Sequence, residues 1–211
     1  MSDQFAVIGD VHGCIKTLEL LYDKIKEIGK IYCVGDLVDR GPASRDVIRF
    51  VKEHNIITTL GNHESLAINA CARPDSEEYD LWYSQGGNET KISYQSESEF
   101  EKDIDWMKGM DLFFTEGEHL ICHAGVKQGL TLEQACDFIY SDDLDEIVSS
   151  IIWCRNIIRL EGHTQICGHT PVRNVVKEEG YYNIDTGCVY GGSLTAIIVP
   201  EMEIISIPKA D

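Results

Sequence analysis

Phe5-Ala6-Val7-Ile8-Gly9-Asp10-Val11-His12-Gly13 is an apolar run that stops abruptly at a glycine and a carboxylate, and its form recurs downstream. Ile31-Tyr32-Cys33-Val34 runs into Gly35-Asp36, and Ile56-Ile57-Thr58-Thr59-Leu60 runs into Gly61-Asn62, so the three glycines stand 26 residues apart. Between them, Ile15, Leu18, Leu21, Ile25 and Ile28, then Val47, Ile48 and Val51, carry helical spacing. The segment therefore reads as strand, helix, strand, helix, strand. Units of about 30 residues with that alternation build parallel sheets through right-handed crossovers. Polar side chains then gather at the carboxyl ends of the strands.

Working outward, residues 73–110 break the rhythm with Pro74, an acidic stretch, Trp82, Gly86-Gly87 and the Glu-rich 97–103, which reads as a helical excursion beside the cleft without a core of its own. Strand character returns at Leu112-Phe113-Phe114 and at His119-Leu120-Ile121-Cys122, which leads into His123-Ala124-Gly125. Residues 131–150 read as helical and acidic. Beyond them, short strands at 165–167, 181–184, 194–199 and 203–207 follow one another without helices, and the spacing predicts antiparallel pairing. The expectation is an α/β protein of one domain, 1–211, with its second part richer in strand.

The chain has 211 residues, enough to bury about 70% of its unfolded surface, so folding requires no disulfide or structural metal. Eighteen Lys and Arg against 36 Asp and Glu leave a net charge of −18, a field that repels nucleic acid and anionic membrane surfaces. No apolar run approaches the ~18 residues of a membrane span, and Met1-Ser2-Asp3-Gln4 leads into a strand without a basic-then-apolar leader, so a cytoplasmic location is expected. Eight cysteines are scattered without a C-x-x-C pair and read as reduced, mostly buried residues.

The chemistry lies at the strand exits: Asp10, His12, Asp36, Asn62, His63, His123 and His169. A lone Gly-Asp after a strand is ordinarily a turn. Ligand-capable residues at successive strand ends are not independent turns. Mixed carboxylate, imidazole and amide oxygen donors suit divalent manganese, iron or zinc, whereas no thiolates cluster. Seven such groups exceed the needs of one ion, and a carboxylate bridging two ions ~3.5–4 Å apart would use them economically. His54, His119 and His163 stand outside this pattern and read as surface or capping residues. Trp82, Trp106 and Trp153 read as packing residues, with Trp82 the one placed near the cleft.

Taken together, Gly9-Asp10-Val11-His12-Gly13, Gly35-Asp36-Leu37-Val38-Asp39-Arg40-Gly41, Gly61-Asn62-His63-Glu64, His123-Ala124-Gly125 and Gly168-His169-Thr170 resemble, in order and spacing, the signature of the calcineurin-like metallophosphoesterases. More narrowly they resemble the phosphoprotein phosphatases, above all the small bacterial and phage lambda-type Ser/Thr protein phosphatases. The resemblance implies a four-layer α/β/β/α sandwich with mixed sheets and two divalent ions, manganese foremost, with iron or zinc as alternatives. It implies that Asp10 and His12 bind the first ion, that Asp36 bridges, and that Asn62, His123 and His169 complete the second. Arg40, and Arg155 in Trp153-Cys154-Arg155, would grip phosphate oxygens. Arginine suits this because its planar guanidinium donates two parallel hydrogen bonds and keeps its charge. His63, oriented by Asp39, would protonate the leaving oxygen while an activated water attacks phosphorus in line. Asp185, at another strand end, is a candidate partner for a ligating imidazole.

Three functions follow from these residues. The leading expectation is hydrolysis of phosphomonoesters, with phosphorylated Ser, Thr or Tyr of proteins as substrates, because Arg40 beside Asp39 suits a terminal phosphate. The alternative keeps the chemistry and changes the substrate to diadenosine tetraphosphate or another nucleotide polyphosphate. After His123 the chain reads Ala124-Gly125-Val126-Lys127 where the eukaryotic protein phosphatases have a Gly-Gly-Leu-Ser pattern, a departure that weakens the protein-substrate reading. A metal-dependent interaction protein without catalysis would need a missing ligand or acid, and every one is present. Nuclease action is disfavoured by the −18 charge.

Overall fold

Strands whose residues are apolar at every position must be covered on both faces, and the computed structural model shows how this is met. It describes residues 4–156 and 158–211. Met1-Ser2-Asp3, on which the reading of an N-terminus without a leader rests, lies outside the described residues. One sheet has the order β10-β9-β1-β2-β3, from β1 (Phe5–Ile8), β2 (Lys30–Cys33), β3 (Ile57–Thr58), β9 (Ser193–Val199) and β10 (Glu203–Pro208). The other has the order β4-β5-β6-β8-β7, from β4 (Phe113–Glu116), β5 (His119–Cys122), β6 (Thr164–Cys167), β7 (Val176–Glu178) and β8 (Tyr181–Asn183).

The period-two alternation of each strand divides its side chains between two cores. Phe5, Val7, Tyr32, Val34, Ile197 and Val199 of the first sheet meet Ile121, Ile166, Tyr182 and Ile184 of the second in a layer between the sheets. Ala6, Ile8, Ile31, Cys33, Ala196 and Ile198 face the other way, into the helical layer. That layer is built from α1 (Ile15–Ile25), α2 (Ser44–Glu53), α3 (Asn62–Ala72) and α6 (Glu97–Met107). Leu120, Cys122 and Cys167 point outward from the second sheet, under α7 (Leu132–Asp137) and the segment around Ile151 and Ile152 that follows α8 (Leu144–Ile147). The result is the four-layer α/β/β/α sandwich.

The excursion at 73–110 contains α4 (Glu77–Trp82), a wide helical turn over Tyr83–Gly87, α5 (Asn88–Ser93) and α6. Trp82, Phe100, Ile104 and Met107 from it are buried in the same core as α1 and α2, so it has no separate core. β1, β2 and β3 pair in parallel as expected. The tail differs from the antiparallel expectation. β9 does pair antiparallel with β1 and β10, and β7 with β8, but β6 runs parallel to both β5 and β8. Close spacing along the chain misled here because β7 supplies the reversal between β6 and β8, and Val176-Lys177-Glu178 has no apolar run to announce it. β9 and β10 then leave the second sheet for the edge of the first. No described helix is long and apolar enough to cross a membrane.

The N-cap position of α1 is Cys14, whose side chain makes no capping hydrogen bond. Its first amides are satisfied from the far end of the chain: Asp211 accepts from the Lys16 and Thr17 amides (2.9 and 3.1 Å) and from Thr17 Oγ1 (2.6 Å). A carboxylate at a helix N-terminus also complements the helix dipole. Because α1 follows His12 directly, this cap steadies the loop carrying the first group of site residues. Asp211→Ala is expected to cost about 1 kcal/mol, as loss of an N-cap does. Thermal unfolding should register this as a fall of roughly 2–4 °C.

Candidate metal centre

All six expected metal-ligating residues are buried and converge at the carboxyl ends of β1, β2, β5 and β6 and at the start of α3. His12 Nε2 lies 3.4 Å from Asp36 Oδ2, and His123 Nε2 lies 3.5 Å from Asp36 Oδ1. Asn62 Oδ1 is 2.9 Å from His123 Nε2 and 2.8 Å from His169 Nδ1. Two sets of three donors have their atoms within 4.8 Å of one another: His12, Asp36 and His63, and Asp36, His123 and His169. Asp36 is common to both. Asp10 falls outside these sets, and its carboxylate accepts the His169 amide instead (3.0 and 3.3 Å).

The donor set fits cations for a reason internal to the structure. The Nδ1 atoms of His12 and His123 face the carbonyl oxygens of Val38 (2.7 Å) and Val34 (2.8 Å). A carbonyl only accepts, so each Nδ1 carries the proton and each Nε2 presents a lone pair to the site. The His123 lone pair then faces the oxygen of Asn62 with no hydrogen between them, while His169 turns its Nδ1 toward both (3.2 and 2.8 Å) and its buried Nε2 has no partner among the described residues. Lone pairs gathered in this way repel until a cation lies among them. The charges point the same way. Burial and the charges of Asp185 and Asp36 push the Asp10 carboxyl well above its usual range. Burial alone would raise Asp36 too, but the imidazoles of His123, His63 and His12 outweigh it and hold that carboxyl low. Burial drives His12 down to about 3 and His169 to about 2, so both rings are neutral at physiological pH, the form that can bind a metal.

Backbone strain is concentrated here. Among the described residues, eight non-glycine residues have positive φ, and five belong to the site: His12 (45°), Asp36 (52°), Asp39 (69°), Arg40 (67°) and His169 (68°). Left-handed backbone costs roughly 1–2 kcal/mol per residue, so the site carries strain that is appreciable against a net stability of about 5–15 kcal/mol. Hydrogen bonding must hold it in place. Glu64 supplies much of this: its buried carboxylate accepts the amides of Asp36 (2.8 Å), Leu37 (2.7 Å), Val38 (3.3 Å) and Gly61 (3.0 Å). Gly61 is obligatory, since a Cβ there would stand 2.3 Å from Asp36 Oδ1.

His63 Nδ1 donates to Asp39 Oδ2 (2.7 Å), and the His63 amide donates to Asp36 Oδ1 (3.0 Å). Asp39 is fully buried, and the excursion completes its coordination: Thr90 Oγ1 donates to Oδ1 (2.7 Å) and Trp82 Nε1 to both oxygens (3.1 Å). Burial lowers the His63 pKa, but the carboxylates of Asp36 and Asp39 prevail and raise it above its ordinary value. Trp82 is thus both a packing residue and a donor to the site. Arg40 Nη1 donates to His12 Nε2 (2.7 Å). Arg155 is exposed, and its Nη1 reaches the His169 carbonyl oxygen and Thr170 Oγ1 (3.3 Å each) rather than an acidic side chain. Asp185 is buried beside the centre, and burial lifts its carboxyl to about 6. It accepts the Gly187 amide (3.0 Å), and among the described residues it holds no imidazole; the Val38 and Val34 carbonyls hold those of His12 and His123. Sequence reasoning gave Glu64 and Thr90 no role. Glu64 stands inside a recognised motif and carried a signal, whereas Thr90 lies in an excursion with none.

A model of the family described as calcineurin-like phosphoesterase matches residues 4–199. The chain is 29% identical over 242 aligned positions to the asymmetrical bis(5'-nucleosyl)-tetraphosphatase PrpE of Bacillus cereus (strain AH187), with 98% of this chain and 95% of that protein covered. It is 28% identical over 207 positions to serine/threonine-protein phosphatase 1 of Salmonella typhimurium, with 90% and 88% covered. A crystal structure provisionally described as a diadenosine tetraphosphatase superposes with a TM-score of 0.72 at 21% identity, covering 100% of this chain and 96% of that one. A cold-active protein-tyrosine phosphatase of a psychrophilic Shewanella superposes with a TM-score of 0.64 at 18% identity, covering 93% and 76%. These two likenesses are of fold.

Removing the Glu64 charge while keeping its shape tests the support of the centre. Glu64→Gln should weaken divalent-metal binding about 10- to 100-fold, as loss of a group that orients ligands does. Metal titration followed by calorimetry measures it, with far-UV circular dichroism showing the fold retained.

Proposed function

The chain belongs to the calcineurin-like phosphoesterase family, and from that premise we propose that it hydrolyses dinucleoside tetraphosphates at a centre of two divalent ions. The observation that carries the chemistry is the pair of donor sets sharing Asp36, the first of which includes His63, itself paired with buried Asp39. Asp10, His12 and Asp36 would hold one ion, and Asp36, Asn62, His123 and His169 the other, with manganese preferred over iron or zinc. Ions bound there supply Lewis acidity, which activates water and offsets phosphate charge.

The side chains of the chain do the rest. Arg40 and Arg155, on either side of the ligands, grip phosphate oxygens, and Arg40 exchanges its contact with His12 for the substrate. Asp39, fixed by Thr90 and Trp82, keeps the His63 Nδ1–H turned toward itself, so that Nε2 carries the proton given to the leaving oxygen. The raised His63 pKa suits an acid, since it keeps that second proton on the ring nearer neutral pH. The nucleotide substrate is supported by the full-length likeness to PrpE. The expectation of a phosphoprotein substrate has the Salmonella phosphatase in its favour and becomes the competing outcome.

Chelated enzyme should lose activity and recover most with manganese, and its kcat/KM should be higher for diadenosine tetraphosphate than for a phosphoserine peptide. The reverse preference makes this chain a protein phosphatase. His63→Asn should lower kcat about 10²–10⁴-fold with metal content unchanged. Loss of a bound ion in that variant would instead make His63 a ligand.

A further inference from the structure

Beside the metal centre lies an open cleft of about 580 Å³ lined by Arg40, Tyr83, Ser84, Gln85, Gly86, Asn88, Glu89 and Tyr190. Arg40 belongs to both places: its guanidinium touches His12 and lies over the Tyr190 ring, 5.5 Å from the centroid. The far wall is docked onto the same residue. The helical path of the excursion kinks at Gly86 (φ 112°), whose carbonyl accepts the Arg40 amide (3.1 Å), and a Cβ at Gly86 would stand 2.5 Å from that nitrogen. The cleft is therefore held at a set distance from the ions' ligands.

Its chemistry is specific. Tyr190 and Tyr83 are large aromatic side chains left 62% and 46% exposed, with Arg40 against one face of Tyr190. Glu89 contributes a carboxylate oxygen that is shielded from water and has no hydrogen-bond partner among the described residues. A buried acceptor without a donor is costly, typically 1–3 kcal/mol, and a turn of the Glu89 side chain into the cleft would offer that oxygen to hydroxyl or amino hydrogens of a ligand. Apart from Arg40 and Glu89, the lining is neutral and polar.

We propose that this cleft is a nucleoside subsite, in which a base stacks on Tyr190 and Tyr83 while Glu89 accepts from the ribose hydroxyls or the exocyclic amine, and Arg40 passes the attached phosphate to the metal centre. The assignment deepens the tetraphosphate reading and rests on it for the substrate, but the subsite binds a nucleoside whether or not that substrate is the one cleaved. A base stacked on an aromatic side chain improves affinity about five- to 150-fold.

Calorimetric titration of the manganese-loaded protein with AMP and with ribose 5-phosphate separates the base from the phosphate. AMP should bind at least fivefold more tightly. Tyr190→Ala and Tyr83→Ala should each remove most of that preference, Tyr190→Phe should keep it, and Glu89→Gln should weaken AMP binding. Equal binding of the two ligands by the wild-type protein, or an AMP preference that survives both alanine variants, overturns the subsite. If AMP preference holds while diadenosine tetraphosphate is not cleaved, the subsite stands and the proposed substrate falls.

Discussion

Asp10 and Asp36, two carboxylates out of contact with water, sit among neutral imidazoles and an amide oxygen in one pocket, and much of the local structure answers that concentration of electron pairs. Charge buried without compensation is expensive, so the polypeptide supplies backbone amides at every available angle. Glu64 gathers four amides and pins the Asp36 loop, the His169 amide reaches Asp10, and the His63 amide reaches Asp36. Cations would complete what amides alone leave unbalanced, the lone pairs of His123 Nε2 and Asn62 Oδ1 that face each other beside His169 Nδ1.

The cost of this arrangement is visible in the backbone. Five left-handed residues at one place oppose folding, and they persist because glycines leave room for the loops to interlock. Gly41 and Gly13 press on each other's loops, with a Cβ at Gly41 falling 1.9 Å from the His12 carbonyl oxygen, and Gly168 lies against Asp10. Substitution at these glycines would move ligands rather than merely loosen a turn. Preorganisation of this kind lowers the entropic cost of holding reacting groups in place.

The helical excursion links buried Asp39 to the cleft beside Arg40. Its inner side delivers Trp82 and Thr90 to Asp39, and so fixes the ring of His63. Its outer side carries Tyr83 and Glu89, and Gly86 binds both sides to Arg40. One segment thereby touches both the His63–Asp39 pair and the cleft beside Arg40. In a protein of net charge −18, Arg40 and Arg155 set positive charge beside the centre.

Local pattern determined a great deal of this protein. Apolar runs ending at Gly9-Asp10, Gly35-Asp36 and Gly61-Asn62 disclosed parallel strands and their polar exits, because period, burial and turn chemistry are written residue by residue along the chain. The same reading picked out Asp10, His12, Asp36, Asn62, His123 and His169 for the centre and Asp39 with His63 beside it. What tertiary structure alone decided are relations between distant segments. The parallel run of β6, the return of β9 and β10 to the first sheet, the capping of α1 by Asp211, and the donation by Thr90 across 51 residues to Asp39 leave no periodic trace. Each depends on which surfaces meet, and a hydrogen bond between remote side chains needs only the right atoms in reach, whatever their separation in sequence.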